Sequence, residues 1–306
     1  MRKAPKYLSA RLIILLSIIQ FFISCEDVVE IETPTEASRL VVDALIRVDV
    51  TEQFMPIEIR VSETSNFFDQ NQVTSVDRMV IIMQELDANG AVINVFSSSL
   101  TETTSGSGIY IPDPTLNEDQ RIPTSFIERN IEYFLQINFQ GKNFVARTEF
   151  VPTVPFDNIE QGTDIIFDED DTEIIVSFTD VANREDFYVF DFSNGNFLET
   201  EDTFYEGQQF TFSYFFDDNV EPGDELDISI LGADEPFYNY MSQLIEQSEG
   251  AFGPFSTPVA TVRGNIINVT NITITDGVFD NLEVADDFAL GYFAIVQEFK
   301  ETIVIE

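Results

Sequence analysis

Apolar residues in this chain recur at every second position in short runs, and turn-forming pairs close several of them. Alternation with period two turns one face of an extended segment toward a core and the other toward water, which restricts most of the chain to β-structure. Leu40 to Val50 (LVVDALIRVDV) and Ile57 to Val61 (IEIRV) read as strands. Between Val80 and Phe96 two apolar runs flank Asn89-Gly90, which predicts a hairpin with a type I′ turn and positive φ at both central residues. Tyr133 to Phe139 alternates, Gln140-Gly141 turns, and Asn143 to Phe150 returns. This spacing predicts a mainly β protein whose residues 39–151 form an immunoglobulin-like β-sandwich.

The first domain is expected to end near Pro152 and Pro155, because proline cannot donate to a ladder and pushes the preceding residue extended. Residues 152–306 then form a second β-rich domain. Its strands are expected at Glu173 to Phe178, Phe187 to Phe192 with a turn at Asn194-Gly195, Gln209 to Phe216, Leu226 to Leu231, Asn265 to Ile274 and Gly291 to Ile305. One segment departs from alternation. Phe237, Tyr240, Met241, Leu244 and Ile245 follow helical spacing, with Asp234 as N-cap and Pro236 in the first turn, so an amphipathic helix is expected near 235–249. Its apolar stripe is read as core-facing.

Composition narrows the chemistry. The chain has 306 residues, 15 Lys and Arg against 55 Asp and Glu, no His, no Trp and one Cys, for a formal charge of −40. Without His there is no histidine-based triad and no imidazole ligand, and one Cys closes no internal disulfide and no thiolate zinc site. So acidic a surface repels phosphate backbones, which argues against nucleic acid as a partner. No cofactor and no catalysis are expected.

The amino terminus carries an address. Arg2, Lys3, Lys6 and Arg11 precede an apolar run from Leu12 to Ile23, the pattern of a secretory signal and too short for a membrane-spanning helix of roughly 20 residues. The sole cysteine, Cys25, follows directly after Phe22, Ile23 and Ser24, an order that resembles a bacterial lipobox. Residues 1–24 are therefore read as a lipoprotein signal peptide cut between Ser24 and Cys25, with the Cys25 thiol carrying lipid. Residues 25–38 follow as an acidic tether beginning Glu26-Asp27. Cleavage removes four of the 15 basic residues and no acidic one, which takes the charge from −40 to −44.

Carboxylates in this chain bring two kinds of site into question. Asp168, Asp170 and Asp171, in the run Asp168 to Glu173, offer the oxygen ligands calcium prefers, but the loop lacks the glycine and distal glutamate of an EF-hand pattern. A solvated turn before a strand is the preferred reading. Paired carboxylates also serve glycosidases, but among 55 acids two neighbours signify little.

The order of several segments resembles a family of Bacteroidetes outer-membrane lipoproteins catalogued only as a domain of unknown function, family 4249. The resemblance rests on Cys25-Glu26, Leu40-Val41-Val42, Gly90-Ala91-Val92, Gly108-Ile109-Tyr110, the Tyr133 strand and Pro152 to Asp157. It continues through Phe178-Thr179-Asp180 with Phe187-Tyr188, the Tyr238 to Leu244 helix and Gly253 to Ser256. It closes with Val262-Arg263-Gly264-Asn265-Ile266 and Ala289-Leu290-Gly291-Tyr292-Phe293. The acidic loop Glu199 to Gly207 is short of residues diagnostic of the family. The resemblance implies a non-catalytic accessory or ligand-binding lipoprotein of a TonB-dependent receptor, held on the outer membrane by its lipid and facing either the cell surface or the periplasm. The alternative is a structural or adhesive surface lipoprotein.

Overall fold

Strand β1 (Leu40–Val48) has Leu40, Val42, Ala44, Ile46 and Val48 buried, with more accessible residues between them, as period-two alternation requires. The structure, a computed structural model, describes residues 38–65, 72–164, 172–216, 220–248, 261–270 and 287–306. The signal segment 1–24, Ser24, Cys25 and all of the tether except Ser38 lie outside them. Residues from Ala37 onward form one compact unit. Among the described residues no helix is long and apolar enough to cross a membrane.

The strands after β1 are β2 (Ile59–Glu63), β3 (Gln72–Val73), β4 (Arg78–Leu86), β5 (Val92–Glu102), β6 (Ile109–Pro112), β7 (Ile131–Phe139) and β8 (Lys142–Val151). Then come β9 (Phe156–Gln161), β10 (Thr172–Thr179), β11 (Phe187–Asp191), β12 (Phe197–Glu201), β13 (Gln209–Phe216) and β14 (Glu225–Ala233). Helix α1 (Glu235–Ser248), β15 (Ile267–Asn268) and β16 (Leu290–Val304) complete the order.

The amino-terminal half is not the expected immunoglobulin-like sandwich. Hydrogen bonding runs β16-β1-β2-β6-β5-β4-β7-β8 and returns from β8 to β16, so these strands close into a barrel. Both readings share the same alternation. Two parallel pairings decide between them: β1 with β16 over Val41–Val48, and β8 with β16 at Ile295 and Val296, each joining segments far apart in sequence. The barrel interior is filled by β1 together with Ile59, Val61, Met79, Ile81, Met83, Tyr133, Leu135, Ile137, Phe293 and Ile295. Full burial of such a side chain stabilises by roughly 1.5–3 kcal/mol relative to exposure.

The seam between β8 and β16 depends on residues from the Val262 to Ile266 and Ala289 to Phe293 segments. A Cβ on Gly264 would lie 1.7 Å from the Gly291 carbonyl oxygen, and one on Gly291 1.8 Å from that of Val42. Gly291 also has φ +93°, a left-handed conformation that disfavours any other residue. Beside this backbone stack the Asn265 carboxamide acts as a piece of strand. Its Oδ1 accepts from Phe293 N at 2.9 Å, and its Nδ2 donates to the carbonyls of Phe293 at 2.8 Å and Arg147 at 3.1 Å.

β16 does not end with the barrel. Residues 290–297 pair with β1, and residues 298–304 pair antiparallel with β14 on the opposite edge. β11 and β12 extend the sheet from β14, and a separate sheet of β13, β10 and β9 packs over it. Between the two layers lies an aromatic core. Phe178, Tyr188, Phe190 and Phe192 are fully buried, Phe192 stacks on Tyr214 at 3.9 Å, and Tyr205 stacks on Phe210 at 4.3 Å. Such pairs add about 0.5–1.5 kcal/mol beyond area burial. The other face of the shared sheet, at Val189, Leu231, Ala233, Ala294 and Val296, takes Phe237 and Met241 of α1, so the expected amphipathic helix is present with its stripe toward the core.

Turn chemistry departs from expectation at one hairpin. At Asn89-Gly90 only Gly90 has positive φ; Asp87 and Ala91 bracket a three-residue loop, and the Asp87 carboxylate accepts from Asn89 N and Ala91 N. Both-positive φ pairs occur instead at Gln140-Gly141 and Asn194-Gly195.

Candidate functional site

At one end of the two-layered half, three aspartates converge from three chain segments. Asp180 follows β10, Asp186 precedes β11, and Asp202 opens a 3-10 turn (Asp202–Phe204) directly after β12. The antiparallel register that pairs Phe187 with Glu201 carries on one step to face Asp186 with Asp202. There Asp202 N donates to the Asp186 carbonyl at 3.1 Å, and Asp186 N donates to Asp202 Oδ2 at 3.0 Å. Across the sandwich Asp180 is fixed by the Tyr188 hydroxyl on Oδ1 and by Gly207 N on Oδ2 at 2.6 Å. The Phe178 and Tyr188 rings meet edge-on at 5.1 Å beneath it.

Carboxylate oxygens from all three residues lie within 4.8 Å of one another, and the residues are 5, 8 and 6 % exposed. One cation stands against three acids. Arg184 Nε donates to Asp186 Oδ1 at 2.6 Å, but the two-pronged fork open to an arginine and a carboxylate is not closed. Arg184 Nη2 and Asp186 Oδ2 are both buried with no hydrogen-bond partner. Burial pushes the Asp186 carboxyl above its ordinary range, opposed by Arg184 and reinforced by the charges of Asp180 and Asp202. Burial, followed by the hydrogen bond to Asp180, raises the Tyr188 phenol strongly, so it stays a donor. With oxygen-only donors, the arrangement can hold a hard cation; it contains no nucleophile paired with a base.

Elsewhere, an open groove of about 570 Å³ on the outer face of the barrel is lined by Ile82, Phe134, Gln136, Asn143 and Arg147. The Arg147 guanidinium is engaged by Glu132 and, at 3.6 Å, by Glu149. Val92, Ile93 and Val95 of β5 are 50, 55 and 60 % exposed.

The calcium candidates Asp168, Asp170 and Asp171 lie outside the described residues, as do Ser24 and Cys25. Glu173, last in that acidic run, belongs to the sandwich: it is buried in β10. The Ser213 hydroxyl at 2.5 Å and Asp164 N at 2.8 Å hold its carboxyl below the usual range. The aspartate cluster itself was missed. Asp180 stands in a segment read for its resemblance, and Asp202 with Gly207 sits in the acidic loop Glu199 to Gly207 that looked undiagnostic. That loop begins as strand β12, whose pairing with β11 brings Asp202 to Asp186.

Residues 26–275 match the family model described as "Domain of unknown function (DUF4249)". The Ala289 to Phe293 segment lies beyond the match. No curated protein matches the chain.

Proposed function

We propose a function from the premise that the chain belongs to the family described as a domain of unknown function, DUF4249: it is a non-catalytic lipoprotein of the outer membrane that assists a TonB-dependent receptor in uptake. The observation that carries this reading is the position of the only cysteine, immediately behind a basic and apolar signal-like segment, where lipidation needs a thiol. Two or three acyl chains on Cys25 give stable anchoring where one is marginal. The absence of His favours binding over catalysis. The exposed apolar run of Val92, Ile93 and Val95 favours contact with another protein.

Two measurements test it. Metabolic labelling with a palmitate analogue should mark the wild-type chain, and Cys25→Ala should abolish the label and release the protein from the membrane fraction. Affinity purification of the lipidated chain from native membranes should co-recover a large β-barrel receptor. Repeated recovery of the chain alone, with the barrel solubilised in the same extract, would sink the receptor assignment while leaving the anchor standing. Protease accessibility on intact cells then tests the adhesive alternative, because a chain that protease cannot reach is no adhesin.

A further inference from the structure

We propose that Asp180, Asp186 and Asp202 form a calcium site that clamps the β10–β11 connection to the segment after β12. Carbonyl and carboxylate oxygens bind calcium at about 2.3–2.6 Å, so ligands of a single ion are separated by at most about twice that distance. The three carboxylates, all within 4.8 Å of one another, meet this limit, whereas magnesium dehydrates reluctantly and is seldom held by a cage of protein oxygens alone. The hydrogen bonds already present leave capacity, because each carboxylate oxygen has two lone pairs.

A second observation points to a ligand. Asp186 is 8 % exposed, yet its Oδ2 has no partner. Bound calcium satisfies the oxygen directly. It also balances the cluster: three carboxylates and one guanidinium leave two negative charges, which a divalent cation cancels in a place where uncompensated charge is costly. Arg184 approaches Asp186 through Oδ1 alone, so the guanidinium and the ion engage different oxygens. Remaining coordination positions fall to water and to backbone carbonyls of the two connections. The site is distinct from the Asp168 to Asp171 run, and its success or failure leaves the receptor assignment untouched.

The test uses the full lipidated chain in detergent after chelation. Adding about 10 mM calcium, roughly ten- to a hundredfold above the dissociation constants of extracellular calcium modules, should raise the thermal midpoint by about 5 °C. Equal magnesium should do much less. Terbium gives a reading on the unaltered chain. Tyr188, whose hydroxyl donates to Asp180, should sensitise terbium emission under ultraviolet excitation, and calcium should quench that emission by displacement. Asp186→Asn and Asp202→Asn should each lose both responses while still unfolding cooperatively. The combined Asp168→Asn, Asp170→Asn and Asp171→Asn variant should keep them. The proposal is overturned by a wild-type chain with neither response, which would mean that Arg184 closes its fork on Asp186 without an ion. It is equally overturned by responses that survive in both single variants, or that vanish only in the triple one. Should the single variants fail to fold, terbium emission and its quenching in the wild type decide.

Discussion

At the scale of residues, Asn265 shows how one side chain can stand in for a strand. Its carboxamide supplies the donor and acceptor that the Phe293 backbone would otherwise find on a neighbouring strand, and it caps the Arg147 carbonyl as well. Removing it takes the partner from the part-buried Phe293 N–H and carbonyl, which cost about 1–3 kcal/mol each when left unpaired, whereas the Arg147 carbonyl is open to water. Asn265→Ala is therefore expected to lower stability by roughly 2–4 kcal/mol in urea unfolding. Asn265→Asp, of the same shape, should do no better, because it faces two carbonyl oxygens with acceptors. A loss below about 0.5 kcal/mol, the range of ordinary surface changes, would refute this role. In the sequence Asn265 looked like the start of a strand, since nothing local distinguishes a side chain that pairs with backbone from one that faces water. The same holds for the aspartate cluster: Asp180, Asp186 and Asp202 are three among 55 acids, and only β10, β11 and β12 together bring them to one point.

At the scale of elements, local chemistry was legible where it acts within a few residues. Gln209 to Phe216 matches its strand at both ends, and α1 begins after the expected cap, with Phe237 N on Asp234 Oδ1 at 2.8 Å. The cap is also a pH-dependent element. Burial raises the Asp234 carboxyl above its ordinary value of 3.8, outweighing the hydrogen bonds from Phe237 N and its own backbone N–H. A raised folded-state value means that the charged cap costs stability. The cost is complete above the folded value and vanishes below 3.8, where the group is protonated whether folded or not. Asp234→Asn keeps a capping oxygen and loses the charge, so it should stabilise the protein at pH 7 and converge with wild type as pH falls below 4. Asp234→Ala should cost about 1 kcal/mol at the pH where Asn and Asp converge. Melting curves of the three proteins from pH 3 to pH 7 check both; a constant Asn–Asp difference across that range would contradict the sign.

At the scale of the whole molecule, β16 sets the behaviour. Alternation along Gly291 to Ile305 predicts a strand, but not that Phe293 and Ile295 serve the barrel while Phe299 and Ile303 serve the aromatic core. Such an assignment depends on partners about 70 to 250 residues away in sequence, which no local pattern encodes. Because one strand lies in both cores, the two halves are expected to unfold together. Phe293→Ala in the barrel should cost about 3–5 kcal/mol, and Phe299→Ala, only partly buried, less. In each variant near- and far-ultraviolet circular dichroism should trace one coincident transition; two separated transitions would show that the halves are independent.

The place of β16 in the chain order also bears on biosynthesis. Every other described strand leaves the ribosome before it, yet the barrel has no closure and β14 no link to β1 until residues 290–304 arrive. Domains usually fold from the amino terminus as they are made. Here the pairings that close the barrel and join the two halves wait for residues 290–304, so the strands made before them stay an unclosed sheet until β16 is synthesised.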